Sequence, residues 1–380
     1  MNLSIDQMQD LIIKVFQPGS NDKNLLIIVD VPNEKVPDKN DWHDRRKIAT
    51  EWLNLLRESA RSLRLHQVNL VYFENTGSNN ADFPSVAFKW HGDIKKADIS
   101  VLKTAGEKIS FEQVLSNNNI IIAPTQFSAT APLKVLAKKY GFRAASMPGF
   151  NRRMIPALGI DYEEVHKRVM EIKSRLDEAD SIDMVFSDEK REFKFTADIR
   201  FRKAHASSGL LREAGIAGNL PSGESYIVPY EGELAEPSRT SGLVPVQFED
   251  EIVVYQVENN RAVAVLTNGI NSERERQKLQ NEPACGNIAE IGFGVLQPFG
   301  IKPVGAVLLD EKLGLHIAFG RSDHFGGITS PQSFNDPANV VHIDRIYIPE
   351  VQNRIMVKLV VFNYPDDRKE VVIKNGDYVV

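Results

Sequence analysis

The sequence predicts an α/β domain with a mainly parallel sheet over residues 1–190, followed by a β-rich α+β domain over residues 191–380. Three observations lead to this prediction: the length of the chain, the pattern of its first half and the different pattern of its second half. At 380 residues, the chain exceeds the usual size of one domain, which is about 100–200 residues. We therefore expect two hydrophobic cores.

Strand-like and helix-like segments alternate in the first half. "NLLIIVDVP" at 24–32 is a continuous apolar run, typical of a strand that is covered on both faces. The segment 44–63 places its apolar residues at helical spacing, and 130–141 repeats this pattern with Gly141 as a helix stop. The segment 161–180 predicts a helix with an acidic first turn. Such alternation favours a parallel sheet with helices on its faces.

The second half is rich in strands and turns. Apolar runs such as "EIVVYQV" and "RIMVKLVVFN" follow one another, and turn sequences such as "ENNRA" and "KNGD" separate several of them. Only "NSERERQKLQ" at 271–280 has a helical pattern. This half is therefore expected to form a β-rich domain.

Composition excludes several classes of protein. The formal charge is −5 and there is no long basic run, so nucleic acid is not favoured as a partner. No apolar stretch reaches the roughly 18 residues of a membrane helix, and no secretory signal is visible at the N-terminus; we expect a cytoplasmic protein. The segment "NEKVPDKND", which directly follows the first strand, contains no glycine, and this argues against a dinucleotide site. Cys285 is the only cysteine, so the ligands of any metal must be mostly His, Asp and Glu.

The segment "VVHIDRIYI" at 340–348 carries a histidine and an aspartate inside an apolar, β-branched run. Such a run predicts a strand. Side chains two apart share one face of a strand, so His342 and Asp344 are expected to point the same way. The pair is either a hydrogen-bonded pair at the core or edge of a sheet, or part of a functional site.

Other polar residues occupy similar positions in apolar runs of the second half. Glu224 ends the turn "NLPSGE", Glu290 lies inside "NIAEIGFG" and His316 lies inside "GLHIAFG". A buried carboxylate costs free energy unless it is paired or binds a metal. Each residue alone could face water on an edge strand, but together they favour a common site.

The order of these segments resembles a known family. "GNLPSGESYIVPYEGE", "NIAEIGFG", "DEKLGLHIAFG" and "NVVHIDRIY" resemble the signature blocks of the thermophilic-type metallo-aminopeptidases, the aminopeptidase T/S group or peptidase family M29. The resemblance covers about residues 195 to 380 and is weak in the first domain. It implies a homodimer that removes N-terminal residues from peptides, or acts on a related small-molecule substrate, through metal-activated water.

The resemblance also implies the residues of the metal site. It assigns two divalent ions, Zn, Co or Mn, to five ligands: Glu224, Glu290, His316, His342 and Asp344. The chemistry agrees with this assignment, since two metals about 3.5–4 Å apart need roughly five protein ligands, including carboxylates that can bridge. A set of His and carboxylate ligands suits these metals.

The sequence departs from the family at one catalytic position. Seven residues after His316 the family has a tyrosine, whereas this chain has Asp323, followed by His324. An ionised aspartate cannot donate a hydrogen bond to an oxyanion. Asp323 could instead become a further ligand, or His324 could act as the general acid. The segment "SDHFGG" could also be a solvated loop without a catalytic role.

The same departure leaves two further functions open. One is a ring-cleaving dioxygenase similar to 2,5-dihydroxypyridine 5,6-dioxygenase, in which His342, Asp344 and a second histidine would bind Fe(II). Retention of Glu224 and Glu290 argues against this function, because a mononuclear site does not need both. The other is a family member that binds a peptide or partner without turnover.

Overall fold

The chain folds into two units that are not continuous in sequence. The computed structural model describes residues 2–93 and 97–380. The first unit contains Met1–His166 and Ser207–Ser222, and the second contains Lys167–Ala206 and Gly223–Val380. The chain therefore passes between the units three times.

The described residues contain eight α-helices and twenty β-strands. The helices are α1 (Ile5–Phe16), α2 (Asn40–Ser59), α3 (Ile99–Ala105), α4 (Phe111–Ser116), α5 (Thr130–Tyr140), α6 (Tyr162–Glu178), α7 (Ile270–Asn281) and α8 (Val307–Asp310). The strands are β1 (Asn24–Val31), β2 (Gln67–Glu74), β3 (Val86–Lys89), β4 (Glu107–Ser110), β5 (Ile120–Ala123), β6 (Arg143–Ser146), β7 (Ser181–Ser187), β8 (Glu192–Asp198), β9 (His205–Ser207), β10 (Ala217–Asn219), β11 (Glu224–Ile227), β12 (Ser241–Phe248), β13 (Glu251–Glu258), β14 (Arg261–Val265), β15 (Ile288–Gly294), β16 (Leu315–Gly320), β17 (His342–Ile346), β18 (Met356–Asn363), β19 (Lys369–Lys374) and β20 (Asp377–Tyr378).

The first unit is built on one mixed sheet with the strand order β10-β6-β5-β1-β2-β3-β4. Pairing is parallel from β10 to β2 and antiparallel at β3 and β4. Seven of the eight residues of β1 are buried, as expected for a strand that helices cover on both faces. Helix α5 ends at Gly141, whose φ of 77° is left-handed and favours glycine. The unit is therefore an α/β domain.

The second unit contains two antiparallel sheets. One sheet has the strand order β17-β16-β15-β11-β9, and the other has the order β14-β13-β12-β8-β7-β18-β19-β20. The sheets contact each other through aromatic side chains: the ring centroids of Phe293 and Phe362 lie 5.4 Å apart. Side chains alternate between the two faces of a strand, so Glu290 and Gly292 lie on the opposite face of β15 from Phe293. That second face carries the candidate site.

The predicted fold class is confirmed: an α/β unit with a mainly parallel core is combined with a β-rich unit. The predicted boundary at residue 190 does not describe how the units divide the chain, because β7 pairs with β8 and β18 of the second unit. Conversely, β10 returns to the first unit, where it pairs with β6. No helix of residues 2–93 and 97–380 is long and apolar enough to span a bilayer.

Candidate metal centre

Four neighbouring strands bring the five predicted ligands to one face of the smaller sheet. The strands are β11 with Glu224, β15 with Glu290, β16 with His316, and β17 with His342 and Asp344. Their register sets the arrangement. Glu224 pairs with Gly294, Gly292 pairs with His316, and Ala318 pairs with both Glu290 and Asp344. Because paired residues of antiparallel strands share a face, this register places all five side chains together.

Small residues on the same face leave room for these side chains. A Cβ atom added to Gly292 would lie 2.0 Å from Nε2 of His316. A Cβ atom on Gly294 would lie 2.2 Å from the carbonyl carbon of Lys312. Any larger residue at position 292 would therefore displace the imidazole from its present place. Gly292 therefore leaves the space that the His316 imidazole occupies, and Gly294 lets the backbone at Lys312 approach β15.

Three of the predicted ligands form a tight, buried group. One oxygen each of Glu224 and Glu290 and one nitrogen of His316 lie within 4.8 Å of one another. Nε2 of His316 is 3.1 Å from Oε1 of Glu290 and 3.6 Å from Oε2 of Glu224. The exposed fractions of the three residues are 5%, 4% and 0%. These atoms form the first lobe of the site.

His342 and Asp344 form a second lobe around the other oxygen of Glu290. Nε2 of His342 is 3.5 Å from Oε2 of Glu290 and 3.7 Å from Oδ1 of Asp344. Nδ1 of His342 lies 2.8 Å from the backbone oxygen of Arg321. A carbonyl oxygen only accepts hydrogen bonds, so this nitrogen donates and Nε2 faces the site. Glu290 therefore lies between the two histidines and offers one oxygen to each.

The charges of the cluster depend on one another. Burial acts to raise the pKa of Glu290, but its hydrogen bonds with His316 and His342 outweigh burial and hold the pKa well below its usual range. Burial acts against the charged form of each histidine. The hydrogen bond with Glu290 and the nearby carboxylates nevertheless raise the pKa of His316 to about 10 and that of His342 to about 9. Without metal, both imidazoles therefore hold a second proton at neutral pH.

The residues present fit a divalent cation. Oε2 of Glu224 is buried and has no hydrogen-bond partner among the described residues. A buried carboxylate oxygen without a partner costs free energy, and a cation in the first lobe would satisfy it. The donors are imidazole nitrogens and carboxylate oxygens, a set that suits Zn, Mn, Co and Fe.

Lys312 is a part of the site that sequence reasoning missed. None of its surface is exposed. Its Nζ lies 2.5 Å from Oε1 of Glu224 and also pairs with Glu311. Burial acts to lower the pKa of Lys312, but the charges of Glu224 and Glu311 outweigh it and raise the pKa above its ordinary value. Burial raises the pKa of Glu311 to about 8. Because one oxygen of Glu224 is bound to Lys312, only the other faces His316.

Replacing Lys312 by methionine should destabilise the protein. The change leaves the buried carboxylate of Glu224 without its cation, which typically costs about 3–5 kcal/mol. The free energy of unfolding of the metal-free protein, from urea denaturation, measures this loss. The matched control is Lys358→Met. The Lys358–Glu192 pair is largely exposed, so its loss should cost at most about 1 kcal/mol. Equal losses in both variants would contradict the assigned role of Lys312.

The histidine charges predict how the stability of the metal-free protein varies with pH. The folded-state pKa values of about 10 and 9 for His316 and His342 lie above the unfolded value of 6.5. The folded state therefore binds more protons, so this stability is fully present below about pH 6.5 and is lost as the pH rises through about 9 to 10. Urea denaturation across this range measures the fall. Glu290→Gln, which removes the shared partner, should flatten the curve; a flat wild-type curve would contradict the prediction.

The loop after β16 carries the two predicted catalytic residues. Asp323 accepts hydrogen bonds from Nε and Nη2 of Arg321. The ring of His324 lies edge-on to that of His342, with a centroid distance of 5.1 Å. Nδ1 of His324 is buried and has no hydrogen-bond partner among the residues described. Burial and the positive charges of His342 and Arg321 lower the pKa of His324 to about 4. The structure thus places neutral His324 beside the second lobe, while Asp323 is bound to an arginine.

Hydrogen bonds to Glu231 hold this loop in place. The Glu231 carboxylate accepts bonds from the hydroxyls of Ser322 and Thr329 and from the backbone N–H of Ile328. A Cβ atom on Gly327 would lie 2.2 Å from Oε1 of Glu231, so the loop closes tightly around the carboxylate. His324 is therefore positioned by a folded loop, which differs from the solvated loop considered from the sequence.

The comparisons with known proteins identify a fold. No family model matches the chain and no curated protein matches it. Among solved structures, 2,5-dihydroxypyridine dioxygenase from Pseudomonas putida KT2440 matches with a TM-score of 0.61 and 15% identity. Wild-type AmpT from Thermus thermophilus, an aminopeptidase, matches with a TM-score of 0.55 and 14% identity.

Both likenesses extend over whole chains. The first covers 100% of this chain and 98% of the dioxygenase, and the second covers 99% of each chain. At these identities the likeness shows a shared fold alone. It does not place the chain in the M29 family, which the sequence blocks resemble. Chemistry must therefore be argued from the site itself.

Proposed function

We propose that the protein is a metal-dependent hydrolase that removes N-terminal residues from peptides or cleaves related aminoacyl amides. The observation that carries the proposal is the position of Glu290, whose two oxygens face two different histidines. A carboxylate between two sets of nitrogen and oxygen donors suits a pair of divalent ions that share one bridging ligand. The whole-chain likeness of fold to AmpT supports the same class.

Each lobe supplies ligands for one ion. Glu224, His316 and one oxygen of Glu290 would hold the first, and His342, Asp344 and the other oxygen of Glu290 would hold the second. Bound there, Zn, Co or Mn would polarise a carbonyl group and lower the pKa of a bound water. Lys312 keeps one oxygen of Glu224 occupied, so the remaining oxygen is directed at the first lobe.

The side chains around the lobes would handle protons. His324 lies beside His342, and its Nδ1 has no hydrogen-bond partner among the described residues. With a pKa of about 4 its imidazole is a weak base, so a proton that it takes from water would pass readily to the leaving amine. Histidines in such positions typically contribute about 10²–10⁴-fold to a rate. Hydrogen bonds from Arg202 and His205 to the backbone oxygens of Gly326 and Phe325 hold His324's loop near the site.

A ring-cleaving dioxygenase is the second candidate, and the Lys312 ion pair is the observation that favours it. Because Lys312 neutralises Glu224, the presence of this glutamate does not require a second metal. His316, His342 and Asp344 would then form a set of two histidines and one carboxylate that suits Fe(II). The fold likeness to the dioxygenase supports this candidate.

Metal analysis together with two assays separates these functions. The protein is purified without added metal, its metal content per chain is measured, and leucyl-p-nitroanilide and 2,5-dihydroxypyridine are tested as substrates. Zn, Co or Mn with release of p-nitroaniline supports the hydrolase. Iron with ring cleavage supports the dioxygenase. A metal-free protein that turns over neither substrate would overturn both and leave a binding protein.

A further inference from the structure

Tyr226 stands on the same face as the predicted ligands. It follows Glu224 by two residues on β11, so both side chains point to one side of the sheet. Tyr226 pairs with Gly292 on β15, and Gly292 pairs with His316 on β16. Because Gly292 has no side chain, no side chain of β15 stands between Tyr226 and His316 at this point of the register.

Two aromatic neighbours fix the Tyr226 ring. His205 stacks on it with a centroid distance of 5.0 Å and an interplanar angle of 18°. Phe325 packs edge-on against it at 4.9 Å. Phe325 in turn lies 5.6 Å from the ring of His342. The ring of Tyr226 therefore belongs to a row of packed rings that reaches His342 of the second lobe. These contacts restrict its rotation.

The hydroxyl of Tyr226 remains available as a donor. Only 7% of the residue is exposed, and no hydrogen bond among the described residues occupies the hydroxyl. A phenol carries an O–H donor, and this one lies on the face of β11 that also carries Glu224. Such a group can donate to an oxygen on which negative charge develops.

The geometry points to Tyr226 as a catalytic residue whose hydroxyl donates a hydrogen bond to the carbonyl oxygen of the scissile amide. This inference rests on the proposed hydrolase function. Asp323 is bound to Arg321 as an acceptor and does not donate a hydrogen bond to an oxyanion. The inference gives this donor role to Tyr226. The proton stays on the phenol throughout, so the hydrogen bond strengthens as the carbonyl oxygen gains charge and no bond of the tyrosine breaks.

Tyr226→Phe removes the hydroxyl and keeps the ring between His205 and Phe325. With leucyl-p-nitroanilide, kcat should fall by about 10²–10³-fold while KM changes little, because the bond strengthens in the transition state. Binding of the phosphonic acid analogue of leucine, whose tetrahedral oxygens resemble that state, should weaken by at least about 10-fold. Binding of L-leucine and the metal content per chain should not change.

Tyr364→Phe is the matched control, since it removes a phenol that is hydrogen-bonded to Glu370, and it should leave kcat, KM, both binding measurements and the metal content at wild-type values. Equal weakening of leucine and phosphonate binding by Tyr226→Phe would indicate a structural role and overturn the inference. Wild-type kcat in the variant would overturn it as well and leave the hydrolase proposal intact. A wild-type protein that neither cleaves the anilide nor binds the phosphonate would remove the hydrolase proposal, and the role of Tyr226 with it.

Discussion

Glu290→Gln is expected to abolish bound metal and all turnover while the fold is retained. Glu290 is the residue that both lobes share, and each of its oxygens faces a histidine. An amide offers one neutral oxygen in place of two charged ones, so neither lobe keeps its ligand set. Loss of a group that merely supports a ligand weakens metal binding by about 10–100-fold, and loss of the shared ligand should exceed this. Metal content after dialysis and metal titration by calorimetry measure the effect.

His342→Ala tests the second lobe separately. It should remove the metal of that lobe and leave the group of Glu224, Glu290 and His316. The matched control for Glu290→Gln is Glu275→Gln. Like Glu290, Glu275 is a buried glutamate of the second unit, but it is hydrogen-bonded to Tyr255. This control should keep its metal. Unchanged metal stoichiometry in Glu290→Gln would contradict the assignment of the site.

His324→Ala is expected to lower kcat by about 10²–10⁴-fold, the range typical of a lost general acid or base. The reason is the position of His324 against His342, with Nδ1 not hydrogen-bonded to any described residue and 3.7 Å from Oδ1 of Asp323. Asp323→Tyr, which restores the residue type of the resembling family, should change kcat far less, because Asp323 is held by Arg321. Steady-state kinetics with an aminoacyl anilide, at a fixed metal content, measure both changes.

Asp323→Asn provides the control for the loop, since it keeps the size of the side chain and weakens its ion pair with Arg321 and its 3.7 Å pairing with Nδ1 of His324. A near wild-type rate is expected for this variant. A large rise of kcat in Asp323→Tyr would reverse the assignment and make Asp323 the residue that limits catalysis. Wild-type rates in both His324→Ala and Asp323→Tyr would remove this loop from the chemistry.

Much of the fold could be predicted because local pattern and tertiary structure agree. The apolar run at 24–32 forms β1, the helix predicted for 130–141 forms α5, and Gly141 ends it with a left-handed φ. The pattern could not reveal that Ser207–Ser222 returns to the first unit. Strand β10 has only three residues, "AGN", which carry no periodicity. Its place is set by pairing with β6, a contact between distant parts of the chain.

The residues of the site likewise include some that the sequence pattern could predict and some that it could not. The period of two along β17 predicts that His342 and Asp344 share a face, and the structure places them together. Nothing in the sequence around Lys312 indicates a buried cation, because the residue lies in a 3₁₀ turn without apolar periodicity. Tyr226 could have been found by applying the same period to Glu224. The hydrogen bonds that Ser322 and Thr329 of the loop 322–329 donate to Glu231 join residues about a hundred positions apart in the sequence.

The three passages of the chain between its units constrain how the protein can be divided. Strand β7 is held by β18, whose paired residues lie about 170–180 positions further along the chain, while β10 completes the sheet of the first unit from within the second half of the sequence. A stop codon near residue 190 therefore leaves a product that lacks β8 and every later strand, including β10 of the first sheet, and a protease cut there separates β7 in sequence from its partners β8 and β18. Synthesis on the ribosome must also pass residue 219 before β10 can complete the first sheet.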